Sequence, residues 1–268
     1  MNHPAADAVG EIRWMSELGL DFIDLTLEPP GAAPASVDTL RIRRALEEHQ
    51  MGVVGHTAYY LPIANPFESL RRAAVEELKL CLRKFAEIGA KWMNIHPDRH
   101  APFHSRSFVI EKNVESLRAL LPVVEETGVG IMLENTPGDF NDANQLGEIL
   151  DAIPELGLHL DIGHCNLLVR ENTANEIIHR YGKRLKHVHL HDNKGGAADL
   201  HLPLGTGTLN FENHLQVLKS SGYDATITLE VFSPDQHYLA HSRDVLRTVW
   251  NGQTSAGRKR GELACACV

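Results

Sequence analysis

Cysteine is scarce in this chain. The four at Cys81, Cys165, Cys265 and Cys267 form no framework of paired spacings among the 268 residues. That argues against a disulfide-stapled secreted scaffold and for a reducing, cytoplasmic location. No apolar run approaches the roughly 20 residues a bilayer span needs, so no membrane partner is expected. The opening MNHPAADAVG has neither a basic leader nor an apolar signal core. Basic charge is also short, with 26 Lys and Arg against 35 Asp and Glu and a net charge of −9. That balance weighs against broad nucleic-acid binding, which draws on clustered Lys and Arg. Tyrosine numbers only five against sixteen histidines, a ratio that favours metal or proton chemistry. With 43% hydrophobic and 23% charged residues the chain can bury a full core.

What is present is a series. Six apolar, strand-like runs carry a metal-ligand side chain at or near their ends: VVGH (His56), WMNIH (His96), GIMLE (Glu134), LHLD (Asp161), LKHVHLHD (His189) and ITLE (Glu230). Helix-length segments separate them. Strands are expected at 21–27, 53–56, 91–96, 130–134, 158–161, 185–190 and 225–230, with helices at 5–18, 37–50, 67–88, 108–127, 142–152, 173–181, 211–221 and 237–250. Asp142 is expected to cap its helix, and Gly19, Gly52, Gly89 and Gly222 to take left-handed conformations between helix and strand. This alternation predicts an α/β (β/α)8 TIM barrel, with chemistry at the carboxyl ends of the strands. One domain should occupy 1–250, and the polar, glycine-containing stretch 251–268 reads as a flexible tail. Only seven strands can be counted. The first is short or missing, and the edge this leaves calls for a covering device.

Asp161 and His164 in HLDIGHCN lie where a strand end and its turn can aim both at one cation. His187, His189 and His191 alternate on one strand face, too polar for a barrel interior unless bonded. Asp199 and His201 follow as a D-x-H pair that can chelate an ion. Glu134 and Glu230, facing each other across a barrel mouth, can bridge metals or act as paired acid and base. Tyr59, beside Tyr60, and the Asp98, Arg99 and His100 segment lie in mouth loops suited to substrate contact. Asn135 next to Glu134 is a further substrate candidate, and Lys194 and His191 are candidates to position a phosphate or hydroxyl. Glu28 ends its strand near the mouth without a committed role.

GHTAYYL, NIHP, LENTPG, LDIGH, HVHLHD, DLHLPLG and TLEVF together resemble the xylose-isomerase-like TIM-barrel superfamily, which holds sugar phosphate isomerases, epimerases and endonuclease IV. The resemblance runs from about residue 9 to 250. It implies that endonuclease IV's three-zinc ligand set is matched by His56, His96, Glu134, Asp161, His164, His189, Asp199, His201 and Glu230. In the epimerases and isomerases it implies one divalent ion on the equivalents of Glu134, Asp161, His189 and Glu230, with both glutamates moving protons. Tyr59 matches an aromatic that endonuclease IV pushes into DNA. Yet LEPPGAAPAS stands where the nuclease has an arginine-rich loop, and it has no basic residue.

The expected function is therefore a metal-dependent sugar or sugar-phosphate isomerase or epimerase, working by proton transfer through a metal-stabilised enediolate. It would use one to three divalent ions (Zn2+ or Mn2+) and a small sugar-like substrate. The alternative is an endonuclease IV-like trinuclear-zinc phosphodiesterase acting on abasic DNA, the one case with a nucleic-acid partner. Homo-oligomerisation is left open by the sequence.

Overall fold

The computed structural model describes residues 2–99, 103–233 and 235–252, and the backbone of 264–267. Eight parallel strands close into a barrel in sequence order: β1 (Phe22–Leu27), β2 (Gly52–Thr57), β3 (Trp92–Ile95), β4 (Gly130–Glu134), β5 (Gly157–Asp161), β6 (Leu185–Leu190), β7 (Thr226–Leu229) and β8 (Ala264–Cys267). Around them lie α1 (Ala8–Glu17), α2 (Thr39–Glu48), α3 (Glu68–Ile88), α4 (Arg106–Arg118), α5 (Leu121–Thr127), α6 (Ala143–Leu150), α7 (Ala174–Tyr181), α8 (Phe211–Ser220) and α9 (His237–Gly252). Alternation along each strand divides the work. Ile23 and Leu25 of β1 join Ile12 and Met15 of α1 and Leu82 and Phe85 of α3 in one core. Burying each such side chain contributes on the order of 2–3 kcal/mol. None of the described helices is long and apolar enough to cross a membrane.

Local chemistry explains most boundaries. Asp7, Asp38, Ser105, Asp142 and Asn210 each accept a backbone N–H in the first turn of their helix. The single helix expected at 108–127 is two. Pro122 has no N–H to offer Arg118 and would crowd its carbonyl, so the chain breaks between α4 and α5. Gly19, Gly89 and Gly222 have positive φ as expected, but Gly52 does not; Gln50 takes the left-handed conformation there, at φ 54°. Gly52 serves space instead, since a Cβ on it would lie 3.1 Å from that of Phe22.

The missing strand is found at the other end of the chain. Ala264–Cys267 pairs in parallel with β7, from Thr226↔Ala264 to Leu229↔Cys267, and touches β1 at Phe22↔Ala266. The flexible tail expected at 251–268 is thus a strand over 264–267; residues 253–263 and 268 lie outside the described residues. Two exposed strand edges offer it both ladders, which outweighs its weak local propensity. Nearer the mouth a second device covers β1. The buried Asn2 amide accepts from Thr26 N at 2.7 Å and donates to Thr26 O at 3.1 Å, imitating a neighbouring strand. At the opposite end Phe22, Val54 and Met132 pack with Trp92. A Cβ on Gly130 would lie 2.3 Å from the Trp92 indole and one on Gly157 3.2 Å. These glycines leave the room the indole fills, and they close the barrel floor.

Candidate metal centre

The strand ends bring the ligand types together at the mouth. His96 Nε2 is 2.9 Å and His56 Nε2 3.7 Å from Glu134 Oε2. His189 Nδ1 faces three carboxylates: Glu230 at 3.2 Å, Glu134 at 3.8 Å and Asp161 at 3.9 Å. His164 and His201 each place Nε2 3.1 Å from Asp199 Oδ2. All nine residues that the sequence proposed as ligands therefore lie in one connected cluster. Above it opens a cavity of about 1170 Å3, bordered by His56, His96, Glu134, His164, Asp199 and Glu230, among others.

A deeper polar layer supports this ring. Asp24 of β1 lies 2.6 Å from His189 Nε2, fixing the tautomer that leaves Nδ1 toward the carboxylates. His187 bonds Thr226 Oγ1 at 2.6 Å and Thr228 Oγ1 at 2.9 Å. The Asn94 amide donates to Glu134, and His159 Nδ1 lies 3.2 Å from the same carboxylate. Asp24, Asn94 and His159 were not singled out from the sequence. The available signal was strand alternation: Asn94, His159, His187 and Thr228 each precede a strand-end ligand by two residues and lie one step deeper on its face.

Burial works to raise the Glu134 carboxyl, yet the imidazoles of His159, His96 and His189 outweigh it and hold it well below the usual range. Asp161 and Glu230 are lowered in the same way, against burial, by His164 and His191 and by His189 and His201 respectively. Burial opposes charge on His164, but Asp161 and Asp199 push it up to about 10. His189 rises too, its burial overcome by Glu230 and Asp24. In the metal-free state, then, imidazole protons balance buried carboxylates, a role a divalent cation can take over. Buried His56 Nε2, Asp161 Oδ2 and His191 Nε2 make no hydrogen bond among the described residues, as the donor atoms of a metal site would. The residues fit such an ion.

The substrate candidates separate. Tyr59 is 67% exposed at the cavity rim, stacked edge-on to His96. Tyr60 donates to Glu28 at 2.6 Å, a bond that pushes its hydroxyl up to about 12. Arg99 borders the cavity, and His100 lies outside the described residues. Three candidates lie outside the cavity lining. Asn135 is fully buried, its amide tying β4 to the Asp161 backbone at 2.7 and 3.0 Å, so none of it faces the mouth. Lys194 is exposed away from the cavity lining. His191 is buried below the lining, against Asp161 and Asp199. Asp98 is also buried, accepting from Ala64 N.

A parallel barrel with this ring at its mouth defines a class, and the family comparison names it. The family described as "Xylose isomerase-like TIM barrel" matches residues 12–249, and the chain belongs to it. A Methanocaldococcus jannaschii protein is 29% identical over 196 residues, covering 69% of this chain and 66% of its own length. Probable endonuclease 4 of Aquifex aeolicus is 27% identical over 216 residues, 72% of this chain and 74% of that protein. Fructoselysine 3-epimerase of Escherichia coli O157:H7 is 25% identical over 228 residues, 81% and 82% of the two chains. In fold the chain is similar to a D-tagatose 3-epimerase-like protein, with a TM-score of 0.81 at 24% identity, covering 91% of this chain and 95% of the other.

Proposed function

We propose that this protein is a metal-dependent isomerase or epimerase of a small sugar or sugar phosphate. One observation carries the reading. Of the three carboxylates around His189 Nδ1, the two glutamates border the cavity, while Asp161 and His189 itself are not part of its lining. Glu134 and Glu230 thus face a substrate from β4 and β7, three strands apart round the barrel. A divalent ion held by Glu134, Asp161, His189 and Glu230 would supply Lewis acidity to a carbonyl and its neighbouring hydroxyl, lowering the cost of an enediolate. One glutamate takes the proton from the carbon beside the carbonyl, and the other returns a proton on the opposite face. Asn94 orients Glu134, and Asp24 orients His189. The epimerase relative supports the reaction class. In heavy water, with a panel of ketoses and ketose phosphates, the wild type should incorporate deuterium beside the carbonyl. Glu230→Gln should slow this by about 10²–10⁴-fold while keeping the fold; unchanged exchange sinks the reading.

His56 and His96 against Glu134 favour a second reading, because a one-ion epimerase does not need them. With the Asp199 cluster they complete the ligand types of a trinuclear phosphodiesterase acting on abasic DNA, and the endonuclease relative lends it support. Incubation with a duplex containing one abasic site, with and without chelator, tests it. Absence of nicking at high enzyme concentration removes it.

A further inference from the structure

We propose that His191 completes a closed, four-ligand zinc site with His164, Asp199 and His201, a structural site beside the reactive one. The proposal rests on reading the mouth as a metal centre and goes beyond it by giving the loop cluster a different role. One donor atom from each of the four residues lies within 4.8 Å of the others. The hydrogen bonds show which atoms those are. His164 Nδ1 is 2.9 Å from Asn135 O, His201 Nδ1 3.0 Å from Glu230 O and His191 Nδ1 3.4 Å from Asp192 O. A ring nitrogen facing a carbonyl keeps its proton, so it is Nε2 of each ring that points inward and would give up any proton it carries to an entering cation. There the Asp199 carboxylate lies 3.1 Å from two of them and 3.6 Å from the third.

His191 Nε2 is the decisive atom. Its residue has no exposure, and it makes no hydrogen bond among the described residues, though Asp161 Oδ1 lies 3.4 Å away. An unpaired buried ring nitrogen carries a desolvation cost that a metal bond would remove. The backbone is shaped to keep the ring there. Gly163 has an ordinary helical φ of −66°, so no turn requires glycine, but a Cβ on it would lie 2.3 Å from His191 Nε2. His201 is held at φ 44°, an uncommon conformation for a non-glycine residue, with its Nε2 on Asp199. Three imidazoles and one carboxylate suit zinc, and four protein ligands leave no open position, the mark of a structural rather than a catalytic ion.

The test uses the full chain, stripped by chelator and reloaded with zinc or cobalt. The cobalt difference spectrum, wild type minus His191→Ala, should show the intense visible absorption of four-coordinate Co2+. Competition with a chromophoric chelator should show zinc affinity at this site falling by more than about 100-fold in His191→Ala, beyond the 10–100-fold typical of losing an outer-shell partner. Unchanged affinity, or a difference spectrum of five- or six-coordinate cobalt, overturns the proposal. If the variant does not fold, X-ray absorption of wild type carrying one equivalent of zinc decides. Three imidazoles support the proposal; one or two overturn it. Neither readout needs turnover. A wild type without proton exchange but with the four-coordinate signature sinks the isomerase reading alone. Exchange without that signature sinks this proposal alone.

Discussion

Two groups of candidate ligands share the mouth of this barrel, and they are held by different means. Glu134, Asp161, His189 and Glu230 sit on or directly after strands, where ladder hydrogen bonds fix the backbone and Asp24, Asn94 and His159 brace the side chains from below. His164 begins a 3-10 turn, and Asp199 and His201 sit in a loop whose backbone pairing is a single antiparallel bridge between Asp192 and Leu202. Their rigidity comes from Asp192, whose buried carboxylate accepts backbone N–H groups from Asn193, Gly205, Gly207 and Leu209 at 2.8–3.1 Å. A sheet can hold reacting groups by geometry alone, whereas a loop needs a charged peg to reach the same order.

The largest effect should come from pulling that peg. Asp192→Ala strands four backbone donors, and hydrogen bonds to a charged group are each worth about 1.5–3 kcal/mol. Elemental analysis should show the loop-borne ion lost and the strand-borne ion kept; loss of both, or of neither, breaks the distinction between the two groups. Smaller and opposite in location is Asp24→Asn. By loosening the ring of His189 it should weaken the strand-borne ion about 10–100-fold and leave the loop-borne ion unaffected, as chelator competition would read. Smallest is a pH effect in the metal-free protein. His164 is raised from 6.5 to about 10, so its proton stabilises the fold fully below pH 6.5, and that contribution disappears as pH rises through 10. Thermal denaturation should show metal-free protein losing stability across that window. His164→Gln should flatten this slope, and an equal slope in both proteins would contradict the charge balance assigned to the loop group.

The same contrast decides what could be read in advance. The strand-end carboxylates and imidazoles were legible as a cluster because a period of two and a regular helix spacing are written directly into runs such as GIMLE and ITLE. Asp24 and His159 were missed although the same alternation marks them, since polar residues inside an apolar run look like exceptions until the layer they form is seen. Asn135 is a substrate candidate by its place beside Glu134, but that adjacency puts it on the opposite strand face, where its amide bonds the Asp161 backbone. His191 was assigned to substrate because nothing local says that Gly163, far away in the chain, leaves room for its ring. The last strand was illegible for a related reason: ACAC has little strand character, and its pairing depends on two edges contributed by residues near 22 and 226.

The Trp92 plug over Gly130 and Gly157 has a consequence for traffic. With the floor filled by indole, the carboxylates open, among the described residues, onto the mouth cavity that Tyr59 borders. Under the proposed function, an ion held by Glu134, Asp161, His189 and Glu230 would load before a substrate lying above it and leave after it. Saturating substrate should slow metal stripping by a chelator, and a catalytic cycle that releases product promptly would also be the moment when the ion is most exposed to exchange.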